Sequence, residues 1–149
     1  VEVVLFIVVV SVALVVVLKA FEIANVGSAD PVLRRQSLAI AQGLLEEIRF
    51  KPFGSAATDD VLQGGFAGPY TPANRQYFDD VDDYNGFTMT GITTLGNVAL
   101  TGLGSYNASV AVTQATFGNV PASGGWRITV TVTDPAGRSI SLDGYRADY

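Results

Sequence analysis

Val3-Val4-Leu5-Phe6-Ile7-Val8-Val9-Val10-Ser11-Val12-Ala13-Leu14-Val15-Val16-Val17-Leu18 is a run of sixteen residues in which only Ser11 is polar. At about 1.5 Å of helical rise per residue it covers most of a hydrocarbon core roughly 30 Å thick. Ala20, Phe21 and Ile23 extend it past Lys19, whose stem can lie along apolar surroundings while its ammonium stays wet. So much valine disfavours a lone helix in water. In lipid, a helix is the way one segment satisfies its own backbone. The run shows no polar face at helical spacing, so it needs cover all round. That cover is lipid, a bundle of similar helices, or each in turn. A cleaved secretory signal fits poorly, because such signals begin basic and end at a small-residue cleavage site. Here Glu2 comes first and helix-forming sequence follows. A carboxylate at the lip of a membrane-length stretch is costly to desolvate. Glu2 either rests at the water interface or meets a cation on another chain as apolar helices bundle. The second is the sharper expectation.

At 149 residues the chain has room for one membrane helix and one modest domain. A net charge of −5 argues against a nucleic-acid surface, which needs clustered Lys and Arg. With no cysteine there is no disulfide, thiolate metal site or Cys nucleophile. With no histidine the commonest general base and most transition-metal sites are gone too. An enzyme is not expected. Past its first third the chain is rich in Gly, Thr, Asn, Asp and Ser, which suits an exported, β-rich domain facing solvent.

Gly27-Ser28-Ala29-Asp30-Pro31 interrupts the helical pattern. Asp30 and Pro31 have the character of an N-cap and first helical residue, and a residue before proline avoids the α region. A break, kink or unwound joint is expected at Gly27, Asp30 and Pro31. A second helix is expected from about Pro31 to Phe50. Leu33, Ile40, Leu44 and Ile48, with Ala41 and Leu45, form its apolar stripe, and Arg34, Arg35, Gln42, Glu46 and Arg49 lie mostly opposite. Lys51-Pro52 ends it. Residues Gly54 to Asn74 have the composition of a long loop. Strands are expected at Phe87–Thr90, Ala108–Phe117 and Trp126–Thr133, the last with Trp126, Ile128, Val130 and Val132 inward. Asp134-Pro135-Ala136-Gly137 suits a type I turn into a final strand containing Ile140 and Leu142. The expected fold class is α+β, a long N-terminal helix packed on an antiparallel sheet of about four strands. The expected division is an apolar helix at 1–26, an amphipathic helix at 27–52 and a β-rich head at 53–149.

The one dense acidic block is Asp79-Asp80-Val81-Asp82-Asp83-Tyr84-Asn85-Gly86. Asp79, Asp80, Asp82, Asp83 and Asn85 are candidate calcium ligands, since calcium takes six to eight oxygens. The EF-hand spacing fails, because counting from Asp80 puts Tyr84 fifth and Gly91 twelfth. The alternative is a solvated loop shaping turns ahead of the Phe87 strand; no other cofactor is indicated. Glycosidases hold two carboxyls across a cleft, whereas these sit in one short loop. Gly64-Gly65 and Gly124-Gly125 lack the setting of a phosphate loop. Trp126 and the tyrosines at 70, 77, 84, 106, 145 and 149 could touch a sugar or surface, but such residues more often pack a core.

The chain resembles the type IV pilin and pseudopilin superfamily. The resemblance rests on Val1-Glu2-Val3-Val4, the apolar run, the amphipathic second half-helix and the C-terminal sheet. Within it, the chain is most similar to the minor pilins of mannose-sensitive haemagglutinin pili. Ser28-Ala29-Asp30-Pro31, Leu44-Leu45-Glu46-Glu47, the block from Phe78 to Gly86 and Gly144-Tyr145-Arg146 carry that likeness. In the family three residues, usually starting with an N-methylated Phe, precede the position matching Val1. The same is expected here, with a basic leader further upstream. The resemblance implies a precursor in the bacterial inner membrane, cut and methylated by a prepilin peptidase. An assembly platform would then lift it into an extracellular filament beside copies of itself or other pilins. Glu2, Phe6, Ser11 and Lys19 are the implied assembly residues, with Glu2 neutralised by a neighbour's N-terminus. Alternatives are a type II secretion pseudopilin, or a membrane-anchored binding module for which the helix is only a tether.

Overall fold

The computed structural model describes residues 2–54 and 68–148, with backbone alone at positions 2, 5, 9 and 20–30. One helix, α1, spans Glu2–Arg49. The chain divides into two compact units, Val1–Arg35 and Gln36–Tyr149.

Of the break, kink or unwound joint expected at Gly27, Asp30 and Pro31, the structure shows neither a break nor unwinding, and no second helix starts at Pro31. Helical backbone continues through all three, with Pro31 inside the element. Pro31 has no N–H to offer the carbonyl of Gly27, and its ring crowds that turn. This removes one hydrogen bond from a helix 48 residues long. Asp30 and Pro31 are helical in their backbone and do not start a second element.

In the second unit, Ser37, Ala41, Leu44, Leu45 and Ile48 of α1 are buried. Steps of three and four place them on one stripe. Ile40 is only half-buried, and Gln42, Glu46 and Arg49 are exposed. Four strands follow: β1 Thr88–Thr90, β2 Asn107–Gln114, β3 Gly125–Thr133 and β4 Ser139–Ala147. They form an antiparallel meander in chain order. Ala108, Val110 and Val112 of β2 and Trp126, Ile128, Val130 and Val132 of β3 point into the core. The outer face carries a polar ladder across β3 and β4. Arg127 pairs with Asp143 at 2.7 Å, and the hydroxyls of Thr131 and Ser141 meet at 2.8 Å.

The helix lies so close to β4 that Gly144 is needed there. A Cβ at Gly144 would stand 2.7 Å from Cδ1 of Leu45. Phe78, Tyr84 and Phe87 close the other end of the core in edge-to-face contacts, with centroids 4.9 to 6.0 Å apart. The Asp134 turn forms as the sequence predicts, the Gly137 N–H donating to the Asp134 carbonyl at 2.9 Å. Asp134 Oδ1 also accepts from the N–H groups of Ala136 and Arg138. Of the Gly54–Asn74 loop, residues 55–67, including Gly64-Gly65, lie outside the described residues.

Candidate functional site

Every described side chain from Val3 to Lys19 is exposed. Twelve large apolar ones among them stand uncovered, including Phe6 at 67 %. The one polar residue of the run is satisfied within its own helix: the Ser11 hydroxyl donates to the Ile7 carbonyl at 2.7 Å. This back-bonding lets a serine sit in apolar surroundings without an orphaned donor. Lys19 is exposed at the far end of the run, and Pro31 is exposed beyond it. The side chains of Glu2 and Asp30 lie outside the described residues. Among the described residues, no helix is long and apolar enough to cross a membrane.

The acidic block is not the open, solvated loop that its composition suggests. Asp80 and Asp83 are buried, Tyr84 is fully buried, and Asp82–Tyr84 forms a 3-10 turn. The Asp80 and Asp83 carboxylates accept from local backbone, whereas Oδ1 of Asp82 is buried without a hydrogen-bond partner. Asp83 Oδ2 accepts from the Asp79 N–H at 2.8 Å, and Asp80 Oδ1 accepts from the Asp83 N–H at 3.2 Å. Asn85 Oδ1 reaches β2, accepting from the Val112 N–H at 3.2 Å. Gly54, at φ +62°, lets Asp80 pack flush against its backbone, where a Cβ would run into the carboxylate. Burial and the adjacent Asp82 push the Asp80 carboxyl up to about 7. Burial, with Asp79 alongside, pushes Asp83 up to about 6. Among the described residues, no group of three or more metal-ligating side chains is placed to hold an ion.

Sequence reasoning passed over the most tightly built polar cluster. Glu47 Oε1 accepts from Arg75 Nε at 2.8 Å and from the Tyr84 hydroxyl at 2.7 Å, while Oε2 meets Arg75 Nη2. Arg75 Nη1 also donates to the Thr93 carbonyl at 3.2 Å, and the guanidinium lies 5.9 Å from the Phe87 ring centroid. Burial would raise the Glu47 carboxyl, but the Arg75 and Tyr84 hydrogen bonds outweigh it and hold it below its usual value. Burial and the Glu47 carboxylate push the Tyr84 phenol up. Such a cluster has neither a nucleophile nor a free base. It clamps α1 to the segment carrying Arg75 and Tyr84. A signal was present in the sequence: Glu47 sits three residues past Leu44 and one before Ile48, on the edge of the apolar stripe.

Of the aromatic candidates, Tyr84, Tyr106 and Trp126 are core residues, and the Trp126 indole N–H donates to the Phe53 carbonyl at 2.8 Å. Tyr70, Tyr77 and Tyr145 are exposed. Tyr145 lies at the end of β4, where Glu46, Arg49, Phe50, Tyr145 and Arg146 line a cleft of about 450 Å³. Compared with known protein families, characterised proteins and solved structures, the chain matches none.

Proposed function

We propose that the chain is a structural subunit of an extracellular filament of the type IV pilus kind, held in the membrane before assembly and polymerised through Val3–Leu18. The bare helix is the observation that carries this reading. Its twelve exposed apolar side chains would each gain about 1 kcal/mol from full cover. The total is on the order of 10 kcal/mol, comparable with the whole stability of a domain. A surface of that kind demands an apolar host. Lipid is that host before assembly, and sister helices are the host afterwards. The second unit closes a core of its own, and its helix packed on a four-stranded antiparallel meander supports a pilin-like head. A minor subunit of a haemagglutinin-type pilus is the narrower form of the reading.

In this proposal Glu2 sets register. In a bundle that excludes water its carboxylate pairs with the amino terminus of a neighbouring chain. A mismatched subunit would leave a buried charge without a partner, at a penalty of several kcal/mol. Lys19, at the other end of the run, keeps its ammonium in water. The chain should therefore appear in fibres sheared from whole cells. Glu2→Ala should lower the sheared fraction at least about tenfold, equivalent to about 1.4 kcal/mol per subunit contact, with the membrane pool intact. A protein found only in membranes would favour the tether. One confined to the cell envelope in short polymers would favour a secretion pseudopilin. Fibres at parental level in the Glu2→Ala strain would remove the role given to that carboxylate.

A further inference from the structure

The sheet has two edges, and both carry unpaired backbone. In an antiparallel ladder, alternate residues turn their N–H and C=O toward the same neighbour. At the turn before β4 the Asp134 N–H donates to the Arg138 carbonyl at 2.8 Å, and past its far end the Asp148 N–H donates to the Gly124 carbonyl at 3.0 Å. With the β3–β4 register, this gives the even-numbered residues of β4 to β3. Ser139, Ser141, Asp143 and Tyr145 therefore turn their backbone groups to the open side, where among the described residues nothing hydrogen-bonds to them. On β1, the Val110 N–H donates to the Phe87 carbonyl at 2.9 Å and the Gly91 N–H to the Tyr106 carbonyl at 2.8 Å. Thr88 and Thr90, which alternate with these, face the open side. Natural sheets blunt a long edge with proline, lysine or a bulge. β4 has none of these, and its pairing with β3 runs unbroken over Ser139–Ala147.

The strand count decides what can fill the β4 edge. Each strand runs antiparallel to the next, so with four strands β1 and β4 run in opposite directions. The β1 of a second copy can therefore join β4 as a further antiparallel strand with both copies pointing the same way. Two β4 edges paired with each other would instead close a two-fold dimer and leave nothing to extend. Only the β4–β1 contact repeats from copy to copy in one direction, as a polymer drawn from one membrane requires, and the inference rests on that reading of the chain. We propose that β4 of one copy pairs with β1 of the next, joining the sheets of neighbouring copies. The faces agree in the register that sets Thr90 opposite Ser141 and Thr88 opposite Asp143. Thr88 and Thr90 are exposed and Met89 is buried. The threonines then extend the outer ladder in which Ser141 already meets Thr131. Met89 comes beside Leu142, which is half-buried in a lone copy. The open residues of β1 allow about four backbone hydrogen bonds. The pairing aligns heads that the apolar helices hold together.

The chain has no cysteine, so introduced cysteines report the contact without background. The double variant Thr90→Cys/Ser141→Cys places one at each edge. Hydrogen-bonded partners across an antiparallel pair lie about 5.5 Å apart at Cα, within disulfide reach. Within one copy the two edge strands stand three strand spacings apart, roughly 14 Å, so the bond forms only between copies. Fibres sheared from cells expressing the full-length variant, oxidised and run on a denaturing gel, should give a ladder of covalent oligomers that reductant collapses. Each single variant should run as monomer. Thr90→Cys/Thr131→Cys, with its second cysteine one strand further in, should give at least about tenfold less ladder. Thr88→Cys/Asp143→Cys probes the same register should the first pair fold poorly. Fibres that contain the chain but yield no ladder with either pair overturn the edge pairing and leave the filament reading standing. A covalent dimer from Ser141→Cys alone also overturns it, because β4 would then meet β4. Absence of the parental chain from fibres overturns the filament reading, and this inference with it.

Discussion

Replacing Glu47 with leucine should expose how much the second unit relies on one buried ion pair. The Arg75 side chain is only 7 % exposed. Without Glu47 it keeps the Thr93 carbonyl at 3.2 Å and a weak contact to the Met89 sulfur at 3.8 Å. A buried charge stripped of its partner costs about 3–5 kcal/mol. The Tyr84 hydroxyl loses its acceptor as well, at about 1–3 kcal/mol. These penalties do not add, because they share one carboxylate, and at 22 % exposure water reaches part of the site. A loss of about 3 kcal/mol is the expected result. The double variant Glu47→Leu/Arg75→Met removes both charges and should lie within about 1–2 kcal/mol of the parent, since an apolar pair can replace a buried ion pair. Urea unfolding of the full chain in detergent, followed by the fluorescence of Trp126, measures both. Trp126 is the one tryptophan, and its ring lies 5.8 Å from that of Phe53. The Glu47 carboxyl is held below its ordinary 4.5. Its contribution is therefore present above that pH and fades as pH falls through the folded value, so the gap between parent and Glu47→Leu should close in acid. A single variant within about 1 kcal/mol of the parent, or a double variant no more stable than the single, would refute the reasoning.

Gly144→Ala should destabilise by about 1–3 kcal/mol through overpacking against Leu45, whose Cδ1 would lie 2.7 Å from the new Cβ. Leu45→Ala alone should cost about 2–5 kcal/mol. The pair should cost less than the sum by more than about 1 kcal/mol in a double-mutant cycle, and strict additivity would contradict the contact. Asp80 makes the opposite pH prediction to Glu47. Its carboxyl is pushed up to about 7 from an ordinary 3.8, so the folded chain holds that proton more tightly than the unfolded one. The stabilisation is full below the ordinary value and is lost as pH rises toward and through 7. The melting temperature should therefore fall between about pH 4 and 7. Asp80→Asn keeps the acceptor for the Asp83 N–H and should flatten most of that fall. Asp83, raised to about 6, leaves a smaller residual slope. An unchanged slope in Asp80→Asn would contradict the assignment.

Where the chain's pattern is periodic, the sequence was a good guide. The two-residue alternation from Trp126 to Val132 placed four side chains inward, and the structure buries all of them. The three- and four-residue spacing of Ala41, Leu44, Leu45 and Ile48 marked the buried stripe of α1. Local turn chemistry at Asp134 was equally legible, because its hydrogen bonds close within five residues. Local chemistry misled at Pro31, where it pointed to a break or unwound joint and the helical backbone runs on. It misled again at the acidic block, where composition suggested solvent and the structure buries Asp80 and Asp83. The exposed rings of Tyr70, Tyr77 and Tyr145 could not be told from the buried rings of Tyr84 and Tyr106 by residue type.

By itself the sequence determined that this chain has a helix apolar on every side and a β-rich partner for an amphipathic stripe. Both follow from side-chain period and hydrophobicity, which act between near neighbours. Tertiary structure alone decided which polar groups meet. Glu47 finds Arg75 and Tyr84 from 28 and 37 residues away, and Arg146 comes to line a cleft with Glu46 and Arg49. Spacing along a chain carries no record of such meetings, because they exist only once the helix has been laid against the sheet.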